Sequence, residues 1–230
     1  MNIELKFKGR TQPKARLAAA KLYCVTAPSS TGRSYEDAVE RALKGGADVI
    51  QLRDKTLSAR ELLELGNKLR GVCRRYDALF ILNDRVDLAL AMGADGVHLG
   101  QDDLPLAEAR KMSDLWVATT KFDRLPEFII GVSTHSLDQA LKAESEGADY
   151  VGCGPVFKTP TKPDCEPQGL ELVRKYRENL KIPFVAIGGI DESNVDQVVE
   201  AGARCVAVVR AAFGQDDAEP ACRSLKSRLK

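Results

Sequence analysis

Several things are scarce in this 230-residue sequence: it has one tryptophan, three methionines and two histidines, aromatics make up 6%, and the net charge is +1. A chain this close to neutral has no global field to draw it to nucleic acid or to an anionic membrane. Its longest apolar runs, such as Cys205-Val206-Ala207-Val208-Val209, are far too short to span a bilayer. Neither nucleic acid nor membrane is therefore expected as a partner. The N-terminus lacks the apolar stretch of a secretory signal. No C-x-x-C pair occurs among the six cysteines, at 24, 73, 153, 165, 205 and 222. Several sit in apolar strand-like runs, and they read as reduced core thiols of a cytoplasmic protein. No G-x-G-x-x-G follows a strand-like run, which argues against dinucleotide binding.

What is present is an ordinary globular balance, 44% hydrophobic and 29% charged, and a repeat. Gly46-Ala47-Asp48-Val49, Gly93-Ala94-Asp95-Gly96-Val97, Gly147-Ala148-Asp149-Tyr150-Val151 and Gly202-Ala203-Arg204-Cys205-Val206 share one grammar. Each follows an amphipathic stretch and precedes a β-rich run, and the glycine suits a helix C′ position with positive φ. The spacing of about fifty residues leaves room for two βα units per copy. Strands are predicted at Lys21–Thr26, Val49–Arg53, Leu79–Asp84, Gly96–Gly100, Ile129–Thr134, Tyr150–Val156, Phe184–Gly189 and Cys205–Arg210. Helical patterns lie between them, for example Ser34–Lys44, Ser58–Tyr76, Leu137–Glu146 and Glu192–Ala201. Short apolar strands alternating with helices imply an α/β protein with a parallel sheet. At this length a single (β/α)8 TIM barrel over residues 21–230 is the best solution, with a doubly wound open sheet as the alternative. Residues 1–20 are expected as a surface extension, and Trp116–Pro126 as an insertion before the fifth strand.

In such barrels chemistry sits where the strands end and the βα loops converge. The second strand ends Gln51-Leu52-Arg53-Asp54-Lys55. Alternation puts Gln51, Arg53 and Lys55 on one face; if it is the interior, two cations await an anion. The other reading is an exposed end whose cations pair with Asp54. The third strand ends Asn83-Asp84, and the fourth His98-Leu99-Gly100-Gln101-Asp102-Asp103, with Pro105 expected just inside the next helix. Each acid could cap a helix. Together, two carboxylates at neighbouring strand ends repel unless a cation lies between them, and Mg²⁺ is often held by one or two carboxylates plus substrate phosphates. Ser133 ends the fifth strand, and a loop with Thr159, Pro160, Thr161 and Lys162 follows the sixth. Gly188-Gly189 ends the seventh strand and Arg210 the eighth, where barrels often place a phosphate site. His98 and His135 read first as structural.

These strand ends, in this order, resemble the thiamine-phosphate synthase family, a (β/α)8 barrel that joins hydroxymethylpyrimidine diphosphate to thiazole phosphate (or its carboxylated form) and releases diphosphate. The resemblance covers nearly the whole chain from Lys21 onward. It implies that the segment Gln51-Leu52-Arg53-Asp54-Lys55 and Asn83 bind the pyrimidine diphosphate, with Arg53, Lys55 and Lys162 assisting its departure. It implies that Asp84 and Asp103 hold Mg²⁺, and that Ser133 and Lys162 make further contacts on that side. Thr159, Pro160 and Thr161 match the thiazole loop, and Gly188, Gly189, Val209 and Arg210 the thiazole phosphate site. The family commonly carries serine where Arg210 stands. A homo-oligomer is compatible with this reading. Two rivals are a thiazole tautomerase-like isomerase, which has no diphosphate to neutralise, and a noncatalytic phosphate sensor, which needs no metal pair.

Overall fold

The structure, a computed structural model, describes residues 12–27, 32–119, 127–160 and 165–229. Its first half runs α1 (Pro13–Ala19), β1 (Leu22–Val25), α2 (Tyr35–Lys44), β2 (Val49–Leu52), α3 (Ala59–Arg75), β3 (Leu79–Asn83), α4 (Val86–Met92), β4 (Gly96–Leu99) and α5 (Leu106–Thr119). The second half runs β5 (Ile129–Thr134), α6 (Leu137–Ser145), β6 (Tyr150–Cys153), α7 (Gly169–Asn179), β7 (Phe184–Ile187), α8 (Val195–Glu200), β8 (Cys205–Val208), α9 (Arg210–Phe213) and α10 (Ala218–Arg228). The strands pair in chain order, all parallel, and β8 closes on β1. This is the (β/α)8 barrel.

Strand alternation sorts two cores. Tyr23, Val25, Val49, Leu79, Ile81, Ile129, Tyr150, Val185, Cys205 and Ala207 turn inward. Their neighbours, among them Cys24, Ile50, Leu52, Phe80, Leu82 and Val206, face the helices. No disulfide joins any of the six cysteines, and the Sγ atoms of Cys24 and Cys222 approach only to 3.8 Å.

The repeat turns out to be a clamp at the N-terminal end of the barrel. Its four glycines all have positive φ, from 66° at Gly93 to 109° at Gly202, as a chain leaving a helix requires. The aspartate that follows does the pinning. Asp48, Asp95 and Asp149 donate their N–H to the carbonyls of Leu22, Phe80 and Ile130, each at 2.9 Å. Their Oδ2 atoms accept the N–H of the same three residues at 2.9, 2.8 and 2.8 Å. Each clamp therefore locks the start of β1, β3 or β5 to the strand that follows. The fourth copy has Arg204 here, and that side chain is exposed.

Of the surface extension expected over residues 1–20, residues 1–11 lie outside the described residues, and the rest is not all surface. From Pro13 the chain forms α1, and Leu17 and Ala20, each 4% exposed, pack into the inner core and plug the barrel's lower end. An amphipathic turn with only two buried apolar residues leaves a weak pattern in the sequence. Trp116 to Thr119 continue α5, and residues 120–126 of the expected insertion lie outside the described residues.

Candidate active site

The opposite end of the barrel opens into a cavity of about 1140 Å³. Gln51, Arg53, Lys55, Asn83, Asp84, Asp103, Ser133, Thr159, Gly188, Gly189, Val209 and Arg210 all line it. Residues from seven strand ends thus meet at one rim. Thr161 and Lys162 lie outside the described residues.

β2 delivers the cations. Thr26 Oγ1 accepts the Arg53 N–H at 2.9 Å and donates to the Arg53 carbonyl at 3.2 Å, so the end of β1 holds the end of β2. No acid pairs with the Arg53 guanidinium among the described residues. Asp54 is committed elsewhere, which removes the reading in which it neutralises Arg53 and Lys55. Its carboxylate accepts from Tyr35 Oη at 2.6 Å, from Thr56 N and Oγ1 at 2.8 and 2.7 Å, and from Leu57 N at 3.2 Å. Partial burial opposes ionisation there, but these hydrogen bonds outweigh it and hold the carboxyl below its usual range. Leu52 points into the outer core. None of Leu52, Asp54 and Pro160 lines the cavity, and Pro160 is exposed.

β3 and β4 deliver the acids, and neither caps a helix. Arg85 occupies the N-cap of α4 without a side-chain bond, while Asp84 donates its N–H to the His98 carbonyl at 2.9 Å. Asp84 adopts φ 62°, a left-handed conformation that aspartate tolerates better than most residues. Asp103 Oδ2 accepts the Gly100 N–H at 2.6 Å, and Pro105 stands just before α5 rather than inside it. Burial and the adjacent Asp103 carboxyl push the Asp84 carboxyl above its usual range, and Lys55, with Nζ 3.4 Å from Asp84 Oδ2, pulls it back. Two acids in contact, one of them reluctant to ionise, are a donor set short of positive charge. Among the described residues no third acid, histidine or cysteine joins them to complete a metal cluster.

β6 and β7 build the far wall. Gly188 and Gly189 have φ of 106° and 64°, and a Cβ at Gly188 would lie 2.5 Å from Pro155 Cα. Only glycine lets the loop after β6 pack so closely, with Val156 and Phe157 donating to the carbonyls of Ile187 and Gly188, each at 2.9 Å. β8 ends at Val208, Val209 follows it as the N-cap of the four-residue α9, and Arg210 is exposed on the cavity wall. His135 also lines the cavity, its Nδ1 bonded to the Gly154 carbonyl and its backbone N–H donating to Gln139 Oε1 at 2.7 Å. Sequence reasoning passed over Tyr23, Tyr150, Gln101 and Lys158, which also line the cavity. For the tyrosines, inward alternation beside Gln51 was the available signal.

A closed parallel barrel with its charged groups gathered on the C-terminal rim defines an enzyme of the (β/α)8 class that builds its site from βα loops. Residues 22–212 match the family model described as thiamine monophosphate synthase. A thiamine-phosphate synthase of Thermus thermophilus is 49% identical over 213 residues, covering 91% of this chain and 97% of that one. One from Gloeobacter violaceus is 50% identical over 204 residues, covering 89% of this chain but only 56% of the longer relative. The solved thiamine phosphate pyrophosphorylase of Pyrococcus furiosus superposes with a TM-score of 0.80 at 42% identity, covering 92% of this chain and 96% of that one. The chain belongs to the thiamine monophosphate synthase family.

Proposed function

We propose that the chain is a thiamine-phosphate synthase, a transferase that condenses hydroxymethylpyrimidine diphosphate with thiazole phosphate (or its carboxylated form) and releases diphosphate. Family membership supports the activity. The observation that carries the chemistry is the Asp84–Asp103 pair beside Lys55 on one rim with Arg53, which no acid pairs among the described residues. A cavity of about 1140 Å³ exceeds the roughly 300–1,000 Å³ of single-ligand pockets and suits two substrates at once.

Bond breaking comes first in this reading. The carbon–oxygen bond to diphosphate cleaves, leaving a pyrimidinylmethyl cation stabilised by the ring's amino group, and the thiazole nitrogen then attacks. Negative charge grows on the departing diphosphate, so preorganised cations count most. Arg53 and Lys55 stand at the cavity for that role, and Lys162 is assigned it by resemblance. Asp84 and Asp103 are the residues that would hold Mg²⁺, with water and phosphate oxygens completing its shell. When bound, Mg²⁺ supplies further charge neutralisation on the leaving group. Asn83, whose side chain has no partner among the described residues, and Ser133 orient the pyrimidine side. Gly188, Gly189, Val209 and Arg210 border the thiazole phosphate. No protein nucleophile is needed. Among the described residues no helix is long and apolar enough to cross a membrane; action in the cytoplasm, on small-molecule substrates and as a homo-oligomer, belongs to the same proposal.

The test is incubation of the full chain with both substrates and Mg²⁺, following both products. Diphosphate and thiamine phosphate are expected in equal amounts. Diphosphate without thiamine phosphate would make the protein a hydrolase, and absence of both would remove the reading.

A further inference from the structure

Five polar side chains inside the barrel form one unbroken hydrogen-bonded file. Gln51 Nε2 donates to Tyr23 Oη at 2.9 Å, and Tyr23 Oη lies 3.0 Å from Tyr150 Oη. Tyr150 Oη lies 2.9 Å from His98 Nδ1, and His98 Nε2 lies 2.9 Å from Ser133 Oγ. The file crosses β5 because Gly131, register partner of both His98 and Tyr150, has no side chain to stand between them. A Cβ there would lie 2.1 Å from Tyr150 Cζ. Burial pushes the ionisation of both phenols upward, so each stays an O–H donor.

Each phenol has one proton, and when that proton is spent inside the file a single direction runs along it. In that direction Tyr23, which accepts from Gln51, donates to Tyr150, and Tyr150 donates to a bare His98 Nδ1. His98 then carries its proton on Nε2 and donates it to Ser133 Oγ, whose own proton turns to the cavity. At the other end, the Gln51 carbonyl oxygen has no protein partner among the described residues and opens onto the cavity as an acceptor.

We propose that Tyr23, Tyr150 and His98 are positioning residues that hold the Gln51 amide with its oxygen toward the ligand and so select an aminopyrimidine over an oxopyrimidine. This rests on the pyrimidine-diphosphate reading of the site. An exocyclic amine donates to the waiting oxygen. An oxo group meets that oxygen head-on, and turning the amide over requires reversing every bond of the file as far as His98. Sites built to match one hydrogen-bond pattern reject its inverse strongly.

The test measures binding by calorimetry, because the amino group also affects the chemistry of turnover. The ligands are the aminopyrimidine diphosphate and its oxo analogue. The wild-type chain is expected to prefer the amine by about 100-fold or more. In Tyr23→Phe and in Tyr150→Phe the file is cut, and the preference is expected to fall at least about tenfold, partly through tighter binding of the oxo analogue. Nitrogen-15 NMR of the wild-type chain, which needs no variant to fold, should show neutral His98 with its proton on Nε2. A proton on Nδ1, or an unchanged preference in both variants, overturns the relay. If neither pyrimidine binds the wild-type chain, the substrate reading fails and the selectivity falls with it; tight amine binding with unchanged selectivity in the variants sinks the relay alone.

Discussion

At the scale of single residues, the rim trades stability for charge. Asp84 sits in a left-handed backbone conformation against a second carboxyl, an arrangement worth keeping only if something positive joins it. Asp84→Asn keeps an amino acid that tolerates this conformation and removes the repulsion. Without metal it is expected to raise the melting temperature by about 2 °C, from roughly 1 kcal/mol in a chain of this size. Mg²⁺ is expected to raise the melting temperature of the wild-type chain and not of the variant. Calorimetry with and without Mg²⁺ decides it; a variant that melts lower without metal would contradict the stored repulsion. Asp54 shows the converse. Its place within Gln51-Leu52-Arg53-Asp54-Lys55 suggested a ligand contact, yet its oxygens are consumed by Tyr35, Thr56 and Leu57. Such a commitment depends on a loop conformation that spacing alone does not reveal.

Among elements, the inner face of β5 limits what the barrel can hold. Gly131→Ala would drive a methyl into the Tyr150 ring, and overpacking of this kind costs about 1–3 kcal/mol. Urea denaturation should show that loss, and nitrogen-15 NMR should show the His98 environment changed. α1 gives a second prediction. Leu17→Ala removes a plug 4% exposed and is expected to cost about 2 kcal/mol or more, with turnover unchanged because the site lies at the other end. A surface extension would lose no more than about 0.5 kcal/mol.

Strand positions were legible because apolar runs between turn signals have few other uses. Their ends were not: β6 stops at Cys153, three residues before the expected Val156, where Pro155 follows Gly154. α8 begins at Val195, not Glu192, because Asp191 and Asn194 tie the intervening residues into a turn. Side-chain to backbone bonds of this sort compete with helix starts and leave little trace in periodicity.

For the whole molecule, the barrel divides its labour by end. The repeated aspartates stabilise the lower rim, where three of four copies clamp paired strands. The upper rim gathers residues distant in sequence, such as Arg53, Asp84, Asp103 and Arg210, which no local pattern links. The repeat therefore disclosed the fold, whereas the site became legible only by reading each strand end in order. The central claim is that the two acids at this rim, with a divalent ion, carry the charge of the departing diphosphate. Its most direct measurement is Mg²⁺-dependent turnover of both substrates by Asp84→Ala and Asp103→Ala, alongside circular dichroism. Each variant is expected to stay folded and to lose at least about 100-fold in rate. Full activity of both folded variants in the presence of EDTA would contradict the account.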